Sequence, residues 1–300
     1  MATATTALKV TPHDGACGAT VTGVDLAELS EDVFARILAV WHTYGVVAFP
    51  GQHLKEEDHV AFSRRLGALE NTNTRDPHSA DKRPTTLTLA NLDRQGQVVT
   101  DPEARINKFL KGNGYWHSDS SFKRISAKAS LLAALAVPDQ GGETEYTDMR
   151  AAYDALDEPT RQRIEGLTAV HSAAYSQRVS MGEAGGFRPE EEQHLPPVVQ
   201  PVVRLHEPSG RRSLFVGRHA QYIESLDEAE GRKLLDDLLA AACQAPRVYR
   251  HTWAVGDLVL WDNRCMVHRG RPWDTSQLRV MRRTTVAGDP PPGDVNEWAL

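Results

Sequence analysis

His117 and Asp119 stand two residues apart in Gly-Asn-Gly-Tyr-Trp-His-Ser-Asp-Ser-Ser-Phe, residues 112 to 122. The run is rich in aromatic and small residues and reads as an extended strand, where side chains at i and i+2 leave the same face. One imidazole and one carboxylate then project together, two legs of a metal tripod. Of the 12 histidines, His117 alone has a carboxylate two residues on. A His-x-Asp triplet is by itself weak, because a chain of this size produces one by chance. A third leg is available far downstream at His268, which ends Trp-Asp-Asn-Arg-Cys-Met-Val-His. Two histidines and one carboxylate with open positions opposite form the ligand set of non-heme Fe(II) oxygenases. The same donors also suit Zn2+ with a bound water, as in a metal-dependent hydrolase.

Composition narrows the class. With 300 residues the chain exceeds an average domain, yet β-barrel enzymes with decorating helices reach this size as one unit, so 1–300 is expected to be a single catalytic domain. Hydrophobic residues at 40% and charged residues at 25% describe an ordinary soluble protein. A net charge of −6 leaves no basic stripe, which speaks against nucleic acid. It leaves a small anionic substrate open, since a few local arginines decide that. Cys17, Cys243 and Cys265 are widely spaced with no Cys-x-x-Cys, neither a disulfide framework nor a zinc ribbon. With no signal-peptide pattern at the start and no run approaching about 18 apolar residues, the expected location is the cytoplasm, without a membrane span.

Elements must bring the three donors together. Residues 19 to 26 alternate as a strand. Ser30 with Glu31 and Asp32 caps a helix that buries Val33, Ile37, Val40 and Trp41 and stops near Gly45. Val46 to Phe49 is a short buried strand, and 55 to 66 a second helix with Arg64 and Arg65 on a solvated face. Further strands are expected at 85–90, 130–137, 143–147, 167–172, 198–205, 213–216, 247–253, 257–261 and 279–287. Helices are expected after Asp148, after Asp157 and from Asp227, where Glu230 completes a capping box. Residues 70–84 and 93–111 are polar and loop-like. Residues 173–197 form the longest irregular stretch, expected to be a lid or an oligomer contact. Many short strands with helices set to one side imply a mainly β, antiparallel core with flanking helices, a double-stranded β-helix or jelly roll. Its mouth lets side chains from separate strands converge on one ion.

Arg279 follows His268 after ten intervening residues and begins Arg-Val-Met-Arg-Arg-Thr-Thr-Val. A strand returning beside His268 would place a guanidinium where it could hold a carboxylate by a two-pronged pair. Taken together, these residues resemble the Fe(II)/2-oxoglutarate-dependent dioxygenases of the taurine and 2,4-dichlorophenoxyacetate dioxygenase family, over nearly the whole chain from Gly18 to Gly288. The clavaminate synthase-like jelly roll is that family's fold. The resemblance implies that His117, Asp119 and His268 bind iron. It implies that Arg279 and Thr144 hold the far carboxylate of 2-oxoglutarate, and that Asn113 and Arg283 face the primary substrate. The cofactors implied are Fe(II), 2-oxoglutarate and O2. The phrases 112–117, 148–157, 242–247 and 261–265 resemble the aryloxyalkanoate dioxygenases acting on phenoxypropionate and phenoxyacetate acids. Homo-oligomers are expected from the same likeness.

The implied reaction is hydroxylation of an activated C–H in a small anionic substrate, with release of succinate and CO2. An aryl ether then falls apart into a phenol and a keto or aldehyde acid. Sulfonates, alkyl sulfates and N-acyl amino acids stay open as alternatives, as does the Zn hydrolase. A third alternative is a jelly-roll binding protein that has lost its chemistry. Arg279 with Thr144 argues against the hydrolase, which has no use for a buried dicarboxylate clamp. Trp116 and Phe122 read as core aromatics, and His171 and His251 as structural. His219 fits a pocket, surface or core position equally. Arg282 and Arg283 alternate along a strand, so Arg283 is expected to face inward and Arg282 water.

Overall fold

A computed structural model describes residues 8–14, 17–71, 85–182 and 189–300. In chain order the first elements are β1 (Lys9–Pro12), β2 (Ala19–Thr22), α1 (Glu31–Tyr44), β3 (Val46–Phe49), α2 (Glu56–Arg64), β4 (Thr86–Ala90), α3 (Arg105–Gly112) and β5 (Ala129–Ala136). There follow β6 (Thr144–Asp148), α4 (Met149–Asp154), α5 (Glu158–Ile164), β7 (Thr168–His171), α6 (Ala173–Met181), α7 (Pro189–His194), β8 (Val198–Pro201), β9 (Val203–His206) and β10 (Arg211–Leu214). The last are β11 (Ala220–Ile223), α8 (Glu228–Ala242), β12 (Tyr249–His251), β13 (Leu258–Asp262), β14 (Met266–Gly270) and β15 (Val280–Val286). Strand and helix take nearly equal shares, 29% and 28%, so the sheets lead by central position rather than by amount.

The caps expected from sequence form. Ser30 Oγ accepts from the Val33 amide, and Asp227 accepts from the Ala229 and Glu230 amides. Gly45 ends α1 at φ 75°, a left-handed backbone that suits glycine. Ile37, Trp41 and Phe34 give α1 its buried stripe, worth about 2 kcal/mol per large side chain withdrawn from water.

Seven strands make the main sheet in the order β1-β2-β3-β13-β5-β15-β4. Pairing is antiparallel except between β2 and β3, which run parallel. Alternation gives the sheet two apolar faces. Val47, Phe49, Leu131, Ala133, Leu258, Leu260 and Val286 turn toward α1 and α2. Val46, Ala48, Leu132, Ala134, Val259, Trp261 and Met281 turn the other way. They meet Tyr146 and Met266 of a three-stranded sheet, β12-β6-β14, that covers them. The candidate site lies between these two sheets. A further core, built from α4, α8, β7, β10 and β11, braces the far side of the smaller sheet.

Four expectations need correction. Residues 93–111 contain α3, whose N-cap Ala104 offers no side-chain bond and so left no sequence signal. The stretch 173–197 is not irregular: Ser172 caps α6 through the Tyr175 amide, and α7 follows. The part of that stretch at 183–188, like 72–84, lies outside the described residues. Residues 112–122 do not form a strand either. Gly112 closes α3, a single bridge joins His117 to His268, and turns follow. Finally, Arg64 is exposed as expected, but Arg65 is only partly so: it lies 4.0 Å over the Phe34 ring and pairs with Glu31 at 2.6 Å.

Candidate active site

His268 sits on β14 and pairs in register with Tyr146 of β6, with Gly270 opposite Thr144. Positions two apart share a face, so His268, Tyr146 and Thr144 all look inward. Glu145, between them, looks outward and is met by Arg250 at 2.7 Å and Arg269 at 2.7 Å. His117 is drawn to β14 by two backbone bonds with His268, 3.0 and 2.8 Å. Asp119 follows in the turn, its amide donating to Asn263 Oδ1 at 3.1 Å. Asn263 also accepts from Trp261 Nε1 and donates to Ser130 Oγ, which donates to Asp119 Oδ2 at 2.7 Å. One asparagine side chain thus fixes both the backbone and the carboxylate of the aspartate.

The three donors converge. One ligand atom from each of His117, Asp119 and His268 lies within 4.8 Å of the others, and all three residues are buried. Nε2 of His117 stands 3.9 Å from Asp119 Oδ1, and Nε2 of His268 stands 3.8 Å from Oδ2. His117 Nδ1 donates to the Tyr115 carbonyl at 2.7 Å, which fixes the tautomer whose Nε2 lone pair faces the carboxylate. Burial, aided by His268 and Arg218, holds His117 well below its usual value; burial also lowers His268, to about 4. Burial opposes ionisation of Asp119, but Arg283 and the two imidazoles outweigh it, and its carboxyl stays below the usual range. Two neutral imidazoles and one carboxylate are the protonation states a divalent ion requires. The donor set fits a metal.

A second cluster, His206, Asp262 and Cys265, is as tight but does not fit. Asp262 is taken by Arg264 at 2.6 and 2.8 Å and by His206 Nε2 at 3.1 Å. Arg150 lies 3.4 Å from His206 Nδ1. Two guanidinium charges against the cluster would repel a cation, so it is an internal ion network.

Two cavities meet at the triad. The first, about 150 Å3, is lined by Thr144, His268, Arg271, Trp273, Arg279 and Lys111 among others, with no carboxylate among the described residues of its wall. Arg279 is buried, and one Nη donates to the Gly142 carbonyl at 3.1 Å. Gly142, at φ 71°, lets the guanidinium lie across it; a Cβ there would come within 3.0 Å of Arg279 Nε. Among the described residues no carboxylate pairs with Arg279, and its Nε is without a partner. Burial draws it down to about 10, so it stays charged at neutral pH. Thr144 Oγ1 accepts from Trp253 Nε1 at 3.0 Å, leaving its own proton to donate.

The second cavity, about 200 Å3, is lined by Phe109, Phe122, Ser176, Gln177, Arg218 and His219 among others. Leu89, Asn113, His117 and Arg283 border both. Arg283 faces inward as expected, with Nη1 2.8 Å from Asp119 Oδ1. Arg282 does face the other way, but not to water: α2 covers it, and it donates to the Leu54 carbonyl at 2.7 Å. Trp116 is core, with Arg269 4.6 Å over its ring, whereas Phe122 forms cavity wall. His171 and His251 are structural, the first stacked on Phe215 and the second bonded to Asp257 at 3.1 Å.

Sequence reasoning missed Arg218, Asn263 and Ser130. Arg218 stands beside His219 in Gly-Arg-His-Ala, where the histidine took the attention. It is half-buried, donates Nη1 to the Gly112 carbonyl and Nε to His219 Nε2, and makes no ion pair with a carboxylate among the described residues, although the Asp119 charge acts on it.

Comparison with known proteins agrees with this geometry. Residues 7–285 match the family described as taurine catabolism dioxygenase TauD, TfdA family. The chain is 41% identical to a (S)-phenoxypropionate/alpha-ketoglutarate-dioxygenase of Sphingobium herbicidovorans, over 95% of this chain and 96% of that one. It is 42% identical to an alpha-ketoglutarate-dependent 2,4-dichlorophenoxyacetate dioxygenase of Cupriavidus pinatubonensis, over 90% and 94%. The crystal structure of AAD-2 in complex with Mn(II) and N-oxalylglycine superposes with a TM-score of 0.85 at 39% identity, covering 96% of this chain and 100% of that one. The chain belongs to the taurine catabolism dioxygenase TauD, TfdA family.

Proposed function

We propose that the protein is an Fe(II)- and 2-oxoglutarate-dependent dioxygenase that cleaves aryloxyalkanoates to a phenol and a keto or aldehyde acid. One observation carries the reading. On each side of a neutral-histidine and carboxylate triad lies a guanidinium that makes no ion pair with a carboxylate among the described residues: the buried Arg279 in one cavity, the half-buried Arg218 in the other. A buried charge is costly unless an opposite charge meets it, so the site is built for two anions. A Zn hydrolase needs a water at its ion and no pair of anion seats.

In this reading His117, Asp119 and His268 hold the iron, which, with 2-oxoglutarate and O2, supplies hydroxylating power and releases succinate and CO2. Arg279 and the Thr144 hydroxyl grip the far carboxylate of 2-oxoglutarate. Arg218 seats the substrate carboxylate, with Asn113 and Arg283 on the shared wall between the chambers and Phe109 and Phe122 beside the aryl group. Seating that anion orients the C–H next to the ether oxygen toward the triad. The hydroxylated carbon then collapses, and the aryl oxygen leaves as the phenol.

The two facing sheets support a double-stranded β-helix as the frame. Within 173–197, α6 brings Ser176 and Gln177 to the second chamber and serves as part of its cover. We place the enzyme in the cytoplasm as a homo-oligomer, with neither nucleic acid nor membrane as partner. Cys17, Cys243 and Cys265 are free, and no described helix is long and apolar enough to cross a membrane.

Anaerobic addition of Fe(II) and 2-oxoglutarate is expected to give a weak visible charge-transfer band; no band with both present overturns the enzyme reading. Succinate release is then screened on 2-phenoxypropionate, 2,4-dichlorophenoxyacetate, taurine, an alkyl sulfate and an N-acyl amino acid. Turnover of the aryloxy acids with release of phenol is expected. Absence of turnover on both overturns the substrate and leaves the chemistry standing.

A further inference from the structure

We propose that the segment 294–300 backs one wall of the substrate chamber from behind, and that Trp298 is a positioning residue for that wall. The proposal rests on the reading that the second cavity receives the primary substrate.

After β15 the chain returns to lie along residues 69–71. The Asn71 amide donates to the Trp298 carbonyl and the Leu300 amide to the Leu69 carbonyl, both at 2.8 Å, with Glu70 bridged to Ala299. Outside, Arg124 clamps the segment through Asp294 and the Val295 carbonyl. Inside, the Trp298 indole is buried against Phe122, Ala173 and Leu195. Phe122 and Ala173 line the chamber.

A second line of contacts runs through charge. The buried Lys123 ammonium lies 4.1 Å over the Trp298 ring and 2.7 Å from Glu70 Oε2. Ser120 Oγ donates to the same oxygen at 2.8 Å, while Glu70 Oε1 is buried with no partner among the described residues. The orientation of that carboxylate therefore depends on Lys123 and Ser120, and the indole holds Lys123 in place. Glu70 and Ser120 are chamber wall as well. Ser120 directly follows Asp119 and has φ +55°, a strained backbone for a residue with a side chain. Its carbonyl accepts from the Lys123 amide at 3.0 Å. Trp298 thus fixes one wall by packing on Phe122, and the turn after Asp119 through the ammonium above its ring. Losing the π face leaves a buried ammonium with one partner fewer and releases the turn.

The test uses the full chain loaded with Mn(II) and 2-oxoglutarate, in the wild type, Trp298→Ala, Trp298→Leu and Trp298→Phe. Amide hydrogen exchange is expected to quicken at residues 69–71 and 118–124 in the Ala and Leu variants, with α1 and β13 unchanged. Trp298→Phe is expected to stay near wild type. With Fe(II), the KM for 2-phenoxypropionate is expected to rise about tenfold in Trp298→Leu, that for 2-oxoglutarate to stay within about twofold, and succinate to exceed phenol. Exchange that is unchanged at 118–124, or that rises evenly over the whole chain, overturns the proposal. So does a parallel change in both KM values. Should Trp298→Ala fail to fold, Trp298→Leu gives the same reading. If the wild type turns over no aryloxy acid, the function assigned to the chamber falls, and exchange alone still decides the part played by Trp298.

Discussion

Two of the candidate ligands, His117 and Asp119, are held by neighbours that do not themselves reach the ion position. Asn263 is the clearest case, because its amide group touches the Asp119 amide, Trp261 and Ser130 at once. Asn263→Ala is expected to weaken Mn(II) binding by about 10- to 100-fold, read by titration, with the circular dichroism of the wild type. Unchanged affinity would remove the orienting role. The two guanidiniums should separate cleanly. Arg279→Met is expected to raise the KM for 2-oxoglutarate by about 10- to 100-fold and Arg218→Met that for the aryloxy acid, each leaving the other constant nearly alone, since a hydrogen bond to a charged group is worth about 1.5–3 kcal/mol. A swapped or shared effect would reverse the assignment of the chambers. Of these residues, the triad and Arg279 were legible in the sequence from donor type and spacing. Arg218 was not, because nothing in Gly-Arg-His-Ala says which of two adjacent side chains lines a cavity with a charge that no carboxylate pairs among the described residues.

At the scale of elements, strand alternation does most of the placing. It turns Thr144, Tyr146 and His268 inward and Glu145 outward, and it separates Arg283 from Arg282. Periodicity predicts which residues share a face, but not what covers that face. This is why Arg282, expected in water, is buried under α2. The junction of α1 and β3 gives a further test. Gly45 has φ 75°, and a Cβ there would lie 2.6 Å from Met266 Sδ, at the start of the strand that carries His268. Gly45→Ala is expected to cost about 1–3 kcal/mol in urea unfolding, from backbone strain and the clash together. A neutral substitution would show that β14 can shift freely.

The molecule as a whole buries neutral histidines whose charging must oppose folding. His59 lies between Arg282 Nε at 3.4 Å and Thr284 Oγ1 at 3.1 Å, and burial, then Arg282, lowers it to about 3. Burial and Arg204 lower His171 likewise to about 3. Unfolded histidine binds its proton near pH 6.5, so as pH falls the unfolded state takes up protons that the folded state refuses. Stability is therefore full above about pH 6.5 and falls toward pH 3, by about 1.4 kcal/mol per pH unit for each histidine. Urea unfolding of His59→Gln between pH 6 and 4.5 is expected to show a slope shallower by about that amount. A slope equal to the wild type's would mean that His59 is charged in the fold or hydrated.

From the sequence alone came a candidate metal donor set, an arginine with ten residues between it and the last histidine, the caps of α1 and α8, and the strands of the main sheet other than β1. These are local properties, written in residue type and in periods of two and 3.6. The tertiary structure alone decided that His117 and Asp119 share an ion position from a bridge and a turn rather than a strand. It also decided that Arg218 lines the second chamber half-buried and without an ion pair among the described residues, and that 294–300 closes on Glu70 and Lys123. Those facts depend on what packs against what across long separations in the chain, and burial and electrostatic pairing are properties of that packing, not of any single stretch of residues.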